Sequence, residues 1–207
     1  MRNNRYRMRR ILHKAGLLLL LVTAFCSAAI AQQVQVTLDS AQTKINISVH
    51  DIHGGFQGSF KLKSGVLTFD RKSGAANGEL VVDAATGDTG NSNRNHKMYK
   101  DVLETQRYPE ITFTVKKVIG DVAPQGNSNI QVQGIFHIHG VDHDLTLSVP
   151  VQVNGDKVTA TANFVVPYES WGMKNPSLFF LRVDGKANVS VSAVGRVTFL
   201  NGGNPVQ

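Results

Sequence analysis

Apolar and polar residues alternate along most of this chain from Val34 to Ala193. This pattern is typical of β-strands with one face toward an apolar interior and the other toward water. Short polar turns separate the runs, among them Ser64–Gly65 and Asn154–Asp156. About eight such strands with short turns predict one all-β domain, a closed antiparallel barrel.

One segment, between residues 86 and 106, departs from this alternation. It is polar, and its few apolar residues fall at helical spacing behind two residues that could cap a helix. The apolar residues are Met98, Val102 and Leu103, and the candidate caps are Asp88 and Asn91. We expect a short helix across one opening of the barrel.

The first 31 residues differ from the rest in composition. Six basic residues and no acid accompany an apolar run from Ala15 to Phe25, and the small-residue triplet Ala29–Ala31 follows. This arrangement predicts a cleaved signal peptide, with a run shorter than the roughly 20 residues of a membrane-spanning helix. Arg9–Arg10 leaves general and twin-arginine export both open. The mature domain is then expected at 32–200, with a flexible tail at 201–207.

Removal of the leader changes the charge of the protein. The full chain has a net charge of +7, but without the leader 16 basic residues face 15 acidic ones. A nearly neutral domain without a basic stripe gives no support to nucleic-acid binding or to docking on anionic membranes. Cys26 also lies in the leader, so the mature domain has no disulfide, thiol nucleophile or zinc-thiolate site.

The inward positions of the predicted strands mix large and small apolar residues. An eight-stranded barrel is just wide enough to be filled by side chains or to hold one slender ligand, so packed core and tunnel both remain open. The candidate lining residues are Phe60, Leu62, Phe69, Leu80, Phe113, Phe136, Leu147, Phe164 and Val189.

A second apolar group is expected at the rim of the barrel. Four large apolar residues in a row, 178–181, cannot all face inward on a strand. They could form a rim where a lipid enters, a contact patch for a partner or a homodimer, or a rim packed under its own loops. The candidate rim residues are Met98, Leu103, Trp171, Phe179 and Phe180.

The histidine pair His137 and His139 is a weak candidate for a metal site. Side chains two positions apart on one strand share a face and could bind a metal if a third ligand converged. Strand parity, however, points both away from the apolar side of Phe136, so surface or structural roles are favoured. We therefore expect no resident metal or cofactor.

Catalytic signatures are also weak. The sequence has no Gly-x-Ser-x-Gly elbow, and no carboxylate pair lies at inward strand positions. Glu104, Glu110 and Asp88 lie in or beside the helical segment, where caps and solvated charges are the favoured interpretation. We expect a protein that is not an enzyme. A small enzyme that uses the histidines or these carboxylates, and a structural or adaptor protein with a filled core, are the alternatives.

Several short motifs between residues 36 and 195 together resemble the YceI-like family of exported bacterial barrels. They are His53–Gly54, Ser64–Asp70, Thr89–Asn91 with Arg94, Tyr108–Phe113, Gly134–Val141 and Trp171–Met173. The resemblance implies a periplasmic, lipocalin-like barrel whose apolar tunnel takes up a polyisoprenoid without chemistry. The chain reads Arg94–Asn95 where the family usually has Arg-Asp. The expected function is thus binding, sequestration or transport of an apolar lipid, a polyisoprenoid or an isoprenoid quinone.

Overall fold

The computed structural model describes residues 32–177, 182–201 and 204–205. In these residues ten strands and one short helical segment are defined. The strands are β1 Gln32–Leu38, β2 Lys44–Val49, β3 Phe56–Asp70, β4 Ala76–Asp88, β5 Glu110–Ile119, β6 Gly126–Ile138, β7 Val141–Asn154, β8 Lys157–Val166, β9 Ala187–Asn201 and β10 Asn204–Pro205. Helix α1, Ser92–Lys97, continues into a π-helical turn, Met98–Val102. The predicted leader lies outside the described residues.

The strands close into a barrel with eight positions around its circumference. From β3 to β9, each strand pairs antiparallel with the next. The remaining position is shared by β1 and β2, which both run antiparallel to β3 and β9 and lie end to end between them. The predicted antiparallel barrel is confirmed. Of the predicted tail, Asn204–Pro205 pairs with the end of β9.

The expected turn at Ser64–Gly65 is wrong, because β3 runs through it without interruption. The register between β3 and β4 shifts between Leu62 and Ser64. Such a bulge adds a residue to one strand, so the inward positions change from even numbers at Leu62 to odd numbers at Leu67. The alternation therefore looks broken in the sequence, although the strand continues.

The short helix lies at one opening of the barrel, as predicted. The Asn91 side chain caps it by accepting a hydrogen bond of 3.0 Å from the Arg94 backbone N–H. After it, Met98, Val102 and Leu103 pack against apolar side chains at this end of the barrel. No helix within the described ranges is long and apolar enough to cross a membrane.

The opposite end of the barrel is closed by buried side chains. Its buried side chains are small and branched, and they pack beside the β7–β8 turn. They include Val115, Val118, Val122, Ile130, Val149, Val151, Val153 and Val158. The barrel thus has one end closed by its own core and another covered by α1 and the loop that follows β8.

Candidate functional site

Between its two ends, the barrel encloses a cavity of about 330 Å³. This volume falls in the range of roughly 300–1,000 Å³ that is usual for small-molecule sites. The cavity wall includes all nine of the predicted lining residues: Phe60, Leu62, Phe69, Leu80, Phe113, Phe136, Leu147, Phe164 and Val189. Their contact with a ligand remains a prediction.

The accessibility of the inward aromatic residues shows that the interior is hollow rather than filled. Phe60, Phe113 and Phe164 face inward, yet each is only half-buried. They border open space instead of packed atoms, and the small side chains Ala160 and Ala162 line the same cavity. Packed cores leave few voids larger than a water molecule, so this space is available to a ligand.

Charged groups reach the cavity at one end. Among the described lining residues, Arg94 and Lys97, both on α1, are the charged side chains. The Arg94 guanidinium lies 4.2 Å from the centre of the Phe56 ring, as in cation–π contacts. Lys97 Nζ lies 3.8 Å from Asp101 Oδ2. The apolar cavity therefore has a cationic edge at the helix, a feature that the sequence pattern did not single out.

Arg94 also lies close to a carboxylate outside the cavity. The Asp51 carboxylate accepts hydrogen bonds from the backbone N–H groups of His53 and Gly55, at 2.7 and 2.9 Å. These bonds lower the pKa of Asp51, that from His53 most strongly, and electrostatic interactions with His53 and Arg94 lower it further. Asn95 makes no ion pair with Arg94. It accepts from the Thr89 backbone N–H and joins the end of β4 to the helix.

The predicted rim residues divide into three groups. Met98 and Leu103 line the cavity at the helix end. Trp171 lies outside the lining and stacks on His143, with 3.7 Å between ring centres and 10° between planes. Phe179 and Phe180 lie outside the described residues.

The two histidines of the candidate metal site differ in their surroundings. The His137 side chain is 40% exposed and reaches solvent, as expected, and its Nδ1 lies 2.6 Å from Asp142 Oδ1. The expectation that His139 faces solvent is wrong: its side chain is 15% exposed, with Nε2 3.4 Å from Glu104 Oε1. The cause is its position in the β6–β7 turn, where the ring packs on Tyr108.

Within the described residues, no three side chains that could hold a metal come together. None of the described histidines lines the cavity. His143 pairs across the strands with the lining residue Phe136, and cross-strand partners point to the same face. If the register of the β6–β7 hairpin had been known, the sequence would have shown that His143 lies on the same face as Phe136.

Tyr168 joins the beginning of the connection between β8 and β9 to its end. This residue is buried, and its hydroxyl donates to the Asp184 carbonyl oxygen. Burial raises the pKa of Tyr168 to about 12, and the negative charges of Glu169 and Asp184 add to the effect. The neutral phenol is therefore the form that stabilises this loop.

Replacing Tyr168 with Phe should reduce the loss of stability at high pH. A tyrosine in an unfolded chain ionises near pH 10, below the folded value of about 12. In between, the unfolded chain has lost the proton and the folded chain has not, so the free energy of unfolding falls as pH rises. Urea unfolding at about pH 9 and about pH 11.5 should show a smaller decrease for Tyr168→Phe than for the native chain. Tyr108→Phe is the control, and an equal decrease in both variants would contradict the assignment.

A closed eight-stranded barrel around an apolar cavity places this protein among lipocalin-like barrels. The YceI-like domain matches residues 36–199, and the chain belongs to that family. It is 26% identical to Protein YceI of Escherichia coli O17:K52:H18 over 132 residues, which cover 62% of this chain and 66% of that protein. It therefore spans slightly less than two thirds of that relative. Identity to a UPF0312 protein of Vibrio campbellii is 29% over 143 residues, 68% of this chain and 72% of that protein.

Two solved structures share the fold. One is a polyisoprenoid-binding domain from Saccharophagus degradans implicated in plant cell wall breakdown, with a TM-score of 0.63 and 17% identity over 78% of this chain and 97% of that one. The other is BcnA of Burkholderia cenocepacia, with a TM-score of 0.61 and 20% identity over 76% and 98%. At these identities, the likeness concerns the fold.

Proposed function

We propose that this protein binds a long apolar lipid, a polyisoprenoid or an isoprenoid quinone, inside the barrel and sequesters or carries it after export to the periplasm. The observation that carries the proposal is a hollow interior lined almost entirely by apolar side chains. Family membership supports it, as does the likeness in fold to a polyisoprenoid-binding domain. The leader supports export.

An isoprenoid chain suits this cavity for a simple energetic reason. It is apolar along its length, so it gains about 0.8 kcal/mol for each CH₂ moved from water to an apolar surface. It brings no polar groups that would need buried partners, and the inward wall offers few. Part of the gain is offset by the loss of translational and conformational freedom on binding.

The two ends of the cavity suggest how such a lipid is oriented. The valine-rich end is packed and apolar, whereas Arg94 and Lys97 lie at the helix end. A phosphate or a quinone carbonyl can accept hydrogen bonds from these cations, but an isoprenoid tail cannot. We therefore place the head group at the helix end and the tail toward the packed end.

This orientation predicts a selective effect of Arg94→Gln. Loss of a charged hydrogen-bond donor should weaken binding of a prenyl phosphate by roughly tenfold or more. Binding of squalene, an isoprenoid without a polar head, should be unchanged. Titrations with both lipids measure the difference. An equal loss for both would show that Arg94 supports the fold rather than the head group.

The proposed function is tested by identifying any lipid that copurifies with the protein. The mature chain is purified from bacterial periplasm and extracted with organic solvent, and any stoichiometric lipid is identified by mass spectrometry. A bound isoprenoid or quinone is the expected result. An empty extract that stays empty after incubation with polyprenyl lipids and quinones would contradict the proposal and favour an adaptor role.

A further inference from the structure

Strands β7 and β8 pair only beside the turn that joins them. The ladder runs from Asn154 opposite Lys157 to Val151 opposite Ala160 and stops there. Both strands continue well beyond this point. β7 extends back to Val141 by pairing with β6, and β8 extends to Val166 by pairing with β9. The barrel wall therefore has a gap between two strands that are each hydrogen-bonded on one side.

A proline explains why the β7–β8 ladder ends at this point. The next residue of β7 is Pro150, which lies opposite Asn129 of β6. Proline has no backbone N–H, so it cannot donate to a neighbouring strand and is tolerated at sheet edges. Its position predicts that β7 becomes an edge toward β8 from this residue onward.

We call this gap the β7–β8 window, bounded by residues 145–150 and 161–166. It opens onto the ligand cavity, because inward residues of both edges, among them Leu147 and Ala162, line that cavity. On the outer surface Val141 and Val165 lie near it, and each is 46% exposed.

An aromatic stack spans the helix end of the window. His143 lies near the start of β7 and Trp171 in the loop after β8, so their stacked rings join the two sides. Trp171 also packs against Phe136 in the cavity wall, with 6.1 Å between ring centres. His143 Nε2 is buried and has no hydrogen-bond partner within the described structure. The stack therefore holds the two sides together by ring contact rather than by hydrogen bonds.

We propose that apolar lipids enter and leave the cavity through the β7–β8 window, with the His143–Trp171 stack as its latch. This inference rests on the proposed function. Widening the window breaks no ladder hydrogen bond, because the facing strand edges are already unpaired. Entry past the helix would instead displace Val102, Leu103 and Met173, which are all buried. A side opening also admits a chain along its length.

The test joins the two edges of the window covalently. If the ladder register is continued, Ser148 lies opposite Asn163, and both positions are exposed. The chain from residue 32 onward has no cysteine, so Ser148→Cys with Asn163→Cys can be linked selectively by a short bismaleimide. The matched control is Gln152→Cys with Thr159→Cys, on the same strands where they already pair.

The rates of uptake and release of dansyl-labelled geranylgeraniol are measured by stopped-flow fluorescence. Linking the window should slow both rates by roughly tenfold or more, while the linked control keeps native rates. Unchanged rates in a linked window variant that still binds would overturn the inference alone. A native chain that does not bind the probe would overturn the proposed function as well. If the native protein is a dimer and linking converts it to a monomer, the window is an interface between two copies of the chain. That result would also overturn the inference.

Trp171→Ala provides a second, independent measurement. Removal of the latch should speed uptake and release together and leave the Kd nearly unchanged, because a gate alters the barrier rather than the bound state. Trp171→Phe keeps an aromatic ring over His143 and should retain most of the native rate. A weaker Kd at an unchanged uptake rate would show that Trp171 only supports the cavity wall, against the proposal.

Discussion

Val132→Trp is expected to abolish isoprenoid binding while the barrel stays folded. Val132 lies on β6, is half-buried, and borders the cavity between Val118 and Leu147, its register partners on the neighbouring strands. An indole at this position fills space that a lipid chain needs. Because the cavity offers room, the larger side chain should not cause the strain usual in a packed core. We expect the Kd to rise about 100-fold or more, about 2.7 kcal/mol.

The neighbouring residue, Gln131, provides a matched control for Val132→Trp. Gln131 lies on the same strand but is exposed on the outer face, so Gln131→Trp adds the same side chain outside the cavity. Binding is measured by titration with dansyl-labelled geranylgeraniol, and folding by thermal unfolding. If Val132→Trp binds as tightly as Gln131→Trp, the cavity is not the binding site.

The cavity wall could be predicted from the sequence because strand parity alone decides which face a residue occupies. Phe113 lies between Thr112 and Thr114, and it borders the cavity as parity requires. The capping residue Asn91 was likewise one of the two predicted from its position before a helical pattern. These features depend on local chemistry, which a single sequence contains.

Other features depend on contacts between distant strands and could not be predicted in this way. The continuity of β3 through Gly65 follows from a bulge against β4, and the burial of His139 follows from its packing on Tyr108. Whether the interior is hollow depends on how side chains meet across the barrel. The cationic edge at Arg94 was missed because its orientation follows from where α1 lies relative to the barrel. Pro150 was a local signal for the window, and its meaning depended on knowing which strand lies beside it.

Gly134→Val should lower the free energy of unfolding by about 3 kcal/mol or more, the upper range for overpacking a core. Gly134 is buried on β6, opposite Val115 of β5. A Cβ there would lie 2.4 Å from the Thr114 carbonyl oxygen and 2.8 Å from Cζ of Phe113. The oxygen belongs to the backbone of a paired strand, so it cannot move aside as a flexible side chain would. Urea unfolding measures the change.

The contacts of a side chain at position 134 with the Thr114 oxygen and with the Phe113 ring can be tested separately. The second contact connects the stability of the sheet with the shape of the cavity. Phe113 is part of the cavity wall, and its ring lies over the space that a side chain at 134 would take. Phe113→Leu combined with Gly134→Val should recover only part of the lost stability, because the contact with the Thr114 oxygen remains. A double-mutant cycle measures the part that belongs to the ring. A loss below about 1 kcal/mol for Gly134→Val alone would contradict the expected close packing, since overpacking a rigid site costs more than that. A substantial loss with full recovery in the double variant would show instead that the ring, which shapes the cavity, is what requires a glycine at this position.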